Sequence, residues 1–287
     1  MNLSISGRKN MIKRLGLWLA MTALLLGLAL PAWCGPTLDR IQERGVLVVG
    51  TDPTYPPLTA KAADGTIIGY EMDLARYLAA ALGVKLEIKA IPFVELLSAL
   101  AQGEVDLAIS GITITPKRNA KFMFAGPHLL AGQSVLTSRE LALKLKGPAS
   151  LNKPGIKVAA AKDTTSEMVL KDLLPKAEHV VAANQEAALK LLLARQVQAV
   201  VADFPFCAVA SFRHRDRGVV ATEKPFTFEP LGIAMSPEDP LLHNLVQNFI
   251  LLLQGSGRLE AMQNKWFKNP DWMKLLPHED LAALRAR

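Results

Sequence analysis

The side chains able to do chemistry are few and scattered through the 287 residues. The histidines, His128, His179, His214, His243 and His278, stand singly, and no HExxH, CxxC or GxSxG occurs. Neither a metal site nor an activated nucleophile is spelled out, and no cofactor is expected. Gly255-Ser256-Gly257 lacks the third glycine and the preceding strand of a dinucleotide fingerprint, so it reads as a turn. The remaining candidates stand at the ends of apolar runs. Arg118 follows Ser110-Gly111-Ile112-Thr113-Ile114-Thr115, and Asp203 closes Ala199-Val200-Val201-Ala202. A guanidinium grips a carboxylate bidentately, which neighbouring Lys117 cannot do. Taken alone, however, Arg118 reads equally as a solvated helix residue. Asp203 and the hydroxyls of Ser110, Thr113, Thr164 and Thr165 read equally as helix caps.

Such residues need a scaffold, and the composition supplies one. Half the chain is hydrophobic and 21% is charged, which excludes disorder, collagen and a disulfide scaffold. Residues 1–34 carry Arg8, Lys9, Lys13 and Arg14, no acidic residue, then an apolar run at 15–30 ending in Pro31-Ala32-Trp33-Cys34. That is the pattern of a secretory signal peptide, too short for the roughly 20 residues of a spanning helix. Losing these four of the 33 basic residues leaves 29 against 26 acidic ones, a net charge of +3. The basic balance that suggests a nucleic-acid partner therefore disappears. Cleavage also removes Cys34 and leaves Cys207 alone, an inert buried thiol with no disulfide partner. The stretch Arg213-His214-Arg215-Asp216-Arg217 reads as a solvated helix face.

From Val46 onward short β-branched runs alternate with helical patterns that end at glycine, the signature of βαβ units. Strands are predicted at 46–51, 85–91 and 105–110, with helices at 71–82, 93–102 and from Pro116. A second set repeats the order, with strands at 156–161, 179–182 and 199–203 and helices from 165 and at 184–195. A strand at 231–235 and helices at 241–253 and 258–266 follow. Two parallel-sheet units imply two lobes, and such folds bind ligands where strands end and helices begin.

Six segments carry a family resemblance: VLVVGTDPTYPP (46–57), DGTIIGYEMDLARYLAAALG (64–83), VDLAISGITITPKR (105–118), KVAAAKDTTSE (157–167), AVVADFPFCA (199–208) and GSGRLEAMQNKWF (255–267). In these the chain resembles the periplasmic polar amino-acid-binding proteins of ABC uptake systems, solute-binding protein family 3. The resemblance implies an α/β type II periplasmic binding protein with two parallel-sheet lobes joined by a two-strand hinge. Lobe 1 would comprise 35–131 and 227–277, lobe 2 would comprise 132–226, and a tail would follow at 278–287.

The resemblance also implies the site. Arg118 matches the arginine that binds the ligand's α-carboxylate, helped by Thr164 and Thr165 at a helix amino terminus. Asp203 matches the carboxylate that accepts from the α-ammonium, with Thr113 and the Gly111 carbonyl completing that cage and Ser110 shaping it. Tyr55 and Phe93 match aromatic positions that flank the ligand side chain. Asp52 matches a position that contacts a cationic or polar side chain in some members, or else caps a turn before Pro53. The chain departs from the pattern at Leu58, where phenylalanine is frequent, and at Asp163, where glycine is. The implied role is a monomeric periplasmic receptor that delivers an α-amino acid to a permease with its ATPase. The alternative on the same fold is cyclohexadienyl (arogenate or prephenate) dehydratase.

Overall fold

Uninterrupted apolar runs form strands covered on both faces. VLVVGT becomes β1 (Val46–Thr51), buried from Leu47 onward. The computed structural model describes residues 36–277; the leader with Cys34, and the tail with His278, lie outside the described residues. A helix at Pro36–Arg44 precedes β1. The small strands β2 (Thr54–Tyr55), β3 (Thr59–Lys61) and β4 (Ile67–Ile68) then form an antiparallel sheet of their own. The helix Tyr70–Leu82 stops at Gly83, whose φ of 69° is the left-handed cap. It leads into β5 (Lys85–Ala90), and the helix Phe93–Ala101 leads into β6 (Leu107–Ala108).

The 105–110 run is a regular strand over only two residues, but backbone bonds from Asp106 N to the Val48 carbonyl and from Ile109 N to the Gly50 carbonyl extend its pairing with β1, and side chains reinforce it. Asp106 Oδ2 accepts from Val48 N at 2.8 Å, and Ser110 Oγ accepts from Asp52 N at 2.9 Å. Asp106 is itself clasped by Arg40 and Arg44 from the first helix.

Both sheets contain the expected parallel pairs, β1 with its two neighbours and the strand Lys157–Ala161 with its two, and each adds antiparallel pairing that the sequence pattern does not announce. No period marks an element between 119 and 155, yet after a short helix at Pro116–Asn119 this stretch supplies β7 (Met123–Ala131) and β8 (Gln133–Ser138). Gly126-Pro127 lies inside β7, where the register with β13 (Glu229–Met235) shifts, and hides the strand from pattern reading. With β13 the first sheet has the order β5-β1-β6-β13-β7, and β13 runs antiparallel to β6 and β7. The second sheet contains β9 (Lys157–Ala161), β10 (Glu178–Ala182), β11 (Ala199–Asp203) and β12 (Val219–Ala221). Its order is β10-β9-β11-β8-β12, with β8 antiparallel to its neighbours.

The chain passes from one sheet to the other at Gly132, between β7 and β8, and returns before β13. A Cβ at Gly132 would lie 2.2 Å from the Thr227 carbonyl oxygen, so the two crossing segments touch backbone to backbone. Alternate residues of each inner strand feed opposite apolar clusters: Leu47 and Val49 against Val48, Val200 and Ala202 against Ala199 and Val201. Among the described residues no helix is long and apolar enough to cross a membrane.

The basic stretch is a helix end rather than a helix face. The helix Phe204–Arg213 finishes there, His214 is buried, and Arg215–Arg217 make a 3-10 turn closed by left-handed Gly218. Cys207 is buried and free, and burial pushes its thiol pKa far up, so it is inert.

Candidate functional site

Strand ends from the two sheets face each other. On one side β1 leads to Asp52 and Tyr55, β6 leads to Ser110, Gly111 and Thr113, and the Pro116–Asn119 helix carries Arg118. On the other, β9 leads to Thr164 and Thr165, β10 leads to Asn184 and Gln185, and β11 ends at Asp203. With Phe93 these line one cleft, whose space is ≈ 460 Å³ with its open mouth included. All ten residues singled out in the sequence are therefore neighbours.

Arg118 extends from a helix capped by Thr115, with proline at the first helical position. Its Nη1 donates to the Thr113 carbonyl at 3.0 Å and its Nη2 to the Asp163 carbonyl, on the opposite side of the cleft, at 3.4 Å. The guanidinium sits 5.6 Å from the centre of the Phe93 ring. Among the described residues it pairs with no carboxylate. Burial lowers its pKa, against the opposing pull of Glu229. Asp163 holds a left-handed φ of 58°, which aspartate tolerates and which explains glycine in the family pattern there.

Asp203 is buried, and its Oδ1 accepts from Gln133 Nε2 at 2.6 Å. Burial, reinforced by Glu229, raises its pKa well above the carboxylate range. Gln133 is pinned in turn: Ser166 Oγ donates to its Oε1 at 2.7 Å, and its Nε2 also reaches Thr165 Oγ1 at 3.3 Å. Thr165 Oγ1 and Thr113 Oγ1 stand 3.5 Å apart across the cleft, and the rings of Tyr55 and Phe206 lie 5.8 Å apart.

Other candidates are engaged by the protein itself. Asp52 Oδ1 accepts from Thr54 N and Oγ1 at 3.1 and 2.7 Å, and Oδ2 accepts from Phe93 N at 2.9 Å. Its carboxylate thus caps both a turn and the Phe93–Ala101 helix. Thr164 caps the helix Thr165–Leu173, accepting from Glu167 N and donating to the Ala161 carbonyl. The Ser110 hydroxyl holds Asp52 N. These three contribute position and charge more than free hydrogen-bonding groups.

Gly111 is held from behind, its N–H donating to both oxygens of buried Glu71 at 2.9 and 2.8 Å. Its φ is +60°, and a Cβ would lie 2.4 Å from Tyr55 Cε1. Gly111→Ala is expected to lose roughly 1–3 kcal/mol from backbone strain alone and to displace Tyr55, so its melting temperature should drop. An unchanged melt would contradict the close packing.

Sequence reasoning missed Gln133, Glu229, Asn184 and Gln185. Gln133 sits opposite Asp203 in the β8–β11 register, a signal that exists only once β8 is known to be a strand.

Two α/β lobes with a half-buried cation on one side of the cleft and a buried acid at a strand end on the other describe a receptor for a small dipolar solute. Residues 47–269 match the bacterial extracellular solute-binding proteins, family 3. The chain belongs to this family. Among relatives in sequence, the L-cystine-binding protein TcyJ of Escherichia coli strain K12 is 26% identical over 246 residues, covering 85% of this chain and 91% of that protein. The cyclohexadienyl dehydratase of Pseudomonas aeruginosa is 26% identical over 250 residues, covering 87% and 92%. Among solved structures, the ancestral amino-acid-binding protein AncCDT-1, a precursor of cyclohexadienyl dehydratase, superposes with a TM-score of 0.75 at 37% identity. That match covers 80% of this chain and 99% of the ancestral one. Members of the family with this fold, the type II periplasmic binding-protein fold, are mostly solute receptors, and a dehydratase stands among them.

Proposed function

We propose that this protein is a periplasmic receptor that binds a free α-amino acid between its lobes and presents it to an ABC permease with its ATPase. The observation that carries this reading is the placement of half-buried Arg118 and buried Asp203 in one cleft, neither of them in an ion pair among the described residues. Burying a zwitterion requires a partner for each of its charges, and two cleft groups of opposite sign that are in no ion pair among the described residues supply them. Thr113 and Thr165 complete the cage from either side. Lobe 1 comprises 35–131 and 227–277 and lobe 2 comprises 132–226, so a ligand touching both favours closure about the hinge at Gly132. The leader at 1–34 directs export, and the mature chain acts as a monomer. Relatives that bind amino acids support the reading.

One observation favours the dehydratase alternative: Asp203 has the raised pKa of a potential proton donor, and a relative is such an enzyme. Prephenate, however, has no ammonium, and its two carboxylates would meet an acid at Asp203 with Glu229 behind it. Ligand-stripped, refolded protein should bind an amino acid with a micromolar constant, about 8 kcal/mol, in calorimetry. Incubated with arogenate or prephenate it should release no phenylalanine or phenylpyruvate. Turnover of either substrate, or failure to bind any amino acid, overturns the proposal.

A further inference from the structure

The cleft contains two buried polar groups that neither the α-carboxylate nor the α-ammonium cage uses. Gln185 and Tyr55 are each only 7% exposed. Among the described residues Gln185 Oε1 and the Tyr55 hydroxyl find no hydrogen-bond partner, and both residues line the cleft. A buried acceptor left without a donor is costly, so native proteins rarely keep one without a reason. Here two occur in one site and on opposite lobes.

Their position follows from strand order. In the second sheet the neighbouring strands β11, β9 and β10 end in turn at Asp203, at Thr164 and Thr165, and at Asn184 and Gln185. The ammonium cage and the carboxylate cage occupy the first two ends, and Gln185 marks the third. Asn184 is not available there, because its Oδ1 caps the next helix by accepting from Ala187 N at 2.8 Å. On the facing lobe Asp52 also lines the cleft, but its oxygens already accept three hydrogen bonds from Thr54 and Phe93.

We infer that Gln185 Oε1 and the Tyr55 hydroxyl form a side-chain subsite for a ligand whose side chain ends in N–H donors, an amide, an ammonium or a guanidinium. The inference rests on the amino-acid-receptor reading. The charges agree with donors rather than a carboxylate. With Arg118 and Asp203 matched by the α groups, the remaining buried charge at the cleft is the Asp52 carboxylate. Lys162, which also lines the cleft, is exposed and screened by water. A side chain bearing a carboxylate would face Asp52, and an apolar one would leave Oε1 and the hydroxyl unpaired.

The test is calorimetry of the stripped, full mature chain with glutamine, ornithine, lysine, arginine, glutamate and norleucine. At least one N–H donor ligand should bind at least tenfold tighter than both glutamate and norleucine. Glutamine against the three cations tells an amide from a charged donor, and either supports the subsite. Gln185→Leu should reduce affinity for the preferred donor about tenfold and leave norleucine nearly unchanged, since one hydrogen bond is removed without loss of volume. Tyr55→Phe should repeat the pattern more weakly. Thermal melts of the ligand-free variants show whether they fold, and the ratio of donor to norleucine affinity within each variant is independent of any general loosening. Preference for norleucine or glutamate, or an unchanged ratio in folded Gln185→Leu, overturns the subsite and leaves the receptor reading intact. Binding of no amino acid at all overturns both.

Discussion

Arg118→Ala is expected to reduce amino-acid binding by a factor of about 10² to 10³ or more, with the ligand-free melting temperature unchanged or higher. The half-buried guanidinium packs against Phe93 and is steadied by the Thr113 and Asp163 carbonyls, without a carboxylate partner among the described residues. Its burial lowers its pKa, the mark of a cation whose solvation has been removed and only partly replaced. A ligand carboxylate completes that solvation through charge-assisted bonds. Truncating one member of a buried, hydrogen-bonded charge pair typically costs about 2–5 kcal/mol, hence the factor. Arg118→Lys should recover little, since a lysine offers a point charge in place of a fork. Lys117→Ala, one residue away, should leave affinity within about twofold, as exposed charges contribute little. Isothermal titration of the three variants checks this. Near-normal affinity in Arg118→Ala would move the carboxylate site elsewhere.

Asp203→Asn should abolish binding to a similar extent and at the same time stabilise the ligand-free protein. Its carboxyl is held above the usual range by burial first and by Glu229 second. A carboxyl whose folded-state pKa exceeds its unfolded one makes the native state bind more protons. The contribution of this group to ligand-free stability is therefore fully present below the unfolded pKa near 4 and is lost as pH rises through the folded-state value. Asparagine keeps the hydrogen-bonding shape, carries no charge and should remove that decline. Binding has the opposite dependence. The α-ammonium requires the ionised acid, so affinity should rise with pH over the same window and proton release should accompany binding. Calorimetry in buffers of different ionisation heat detects that proton, and melts against pH follow the stability. A variant that binds normally, or a wild type that releases no proton, would remove Asp203 from the ammonium site.

Much of this site was legible because its residues sit at ends of elements, and ends are announced locally. Thr115-Pro116 marks the short helix that carries Arg118, Gly83 marks the close of a helix, and the run Ala199–Asp203 terminates at the acid. Less legible were residues whose role depends on a neighbour from a distant part of the chain. Gln133 orients Asp203 only through antiparallel pairing of β8 with β11, 70 positions apart. Glu229 influences both Arg118 and Asp203 from the first position of β13. Asp52 could have been a ligand contact or a cap. Phe93 N, 41 residues on, makes it a cap as well.

The sequence alone determined the alternating strands and helices of the two βα sets, the two-lobed plan and the placing of Arg118 and Asp203 at ends of elements. Periodicity, glycine stops and cap residues act within a few positions along the chain, so one-dimensional pattern suffices for them. Only the tertiary structure decided that the sheets are mixed, which polar groups serve the fold, and which are left over for a solute. That division depends on what each buried oxygen and nitrogen meets across lobes and registers. Hydrogen bonds are satisfied in three dimensions, and only there can an unsatisfied one at Gln185 or Tyr55 be seen.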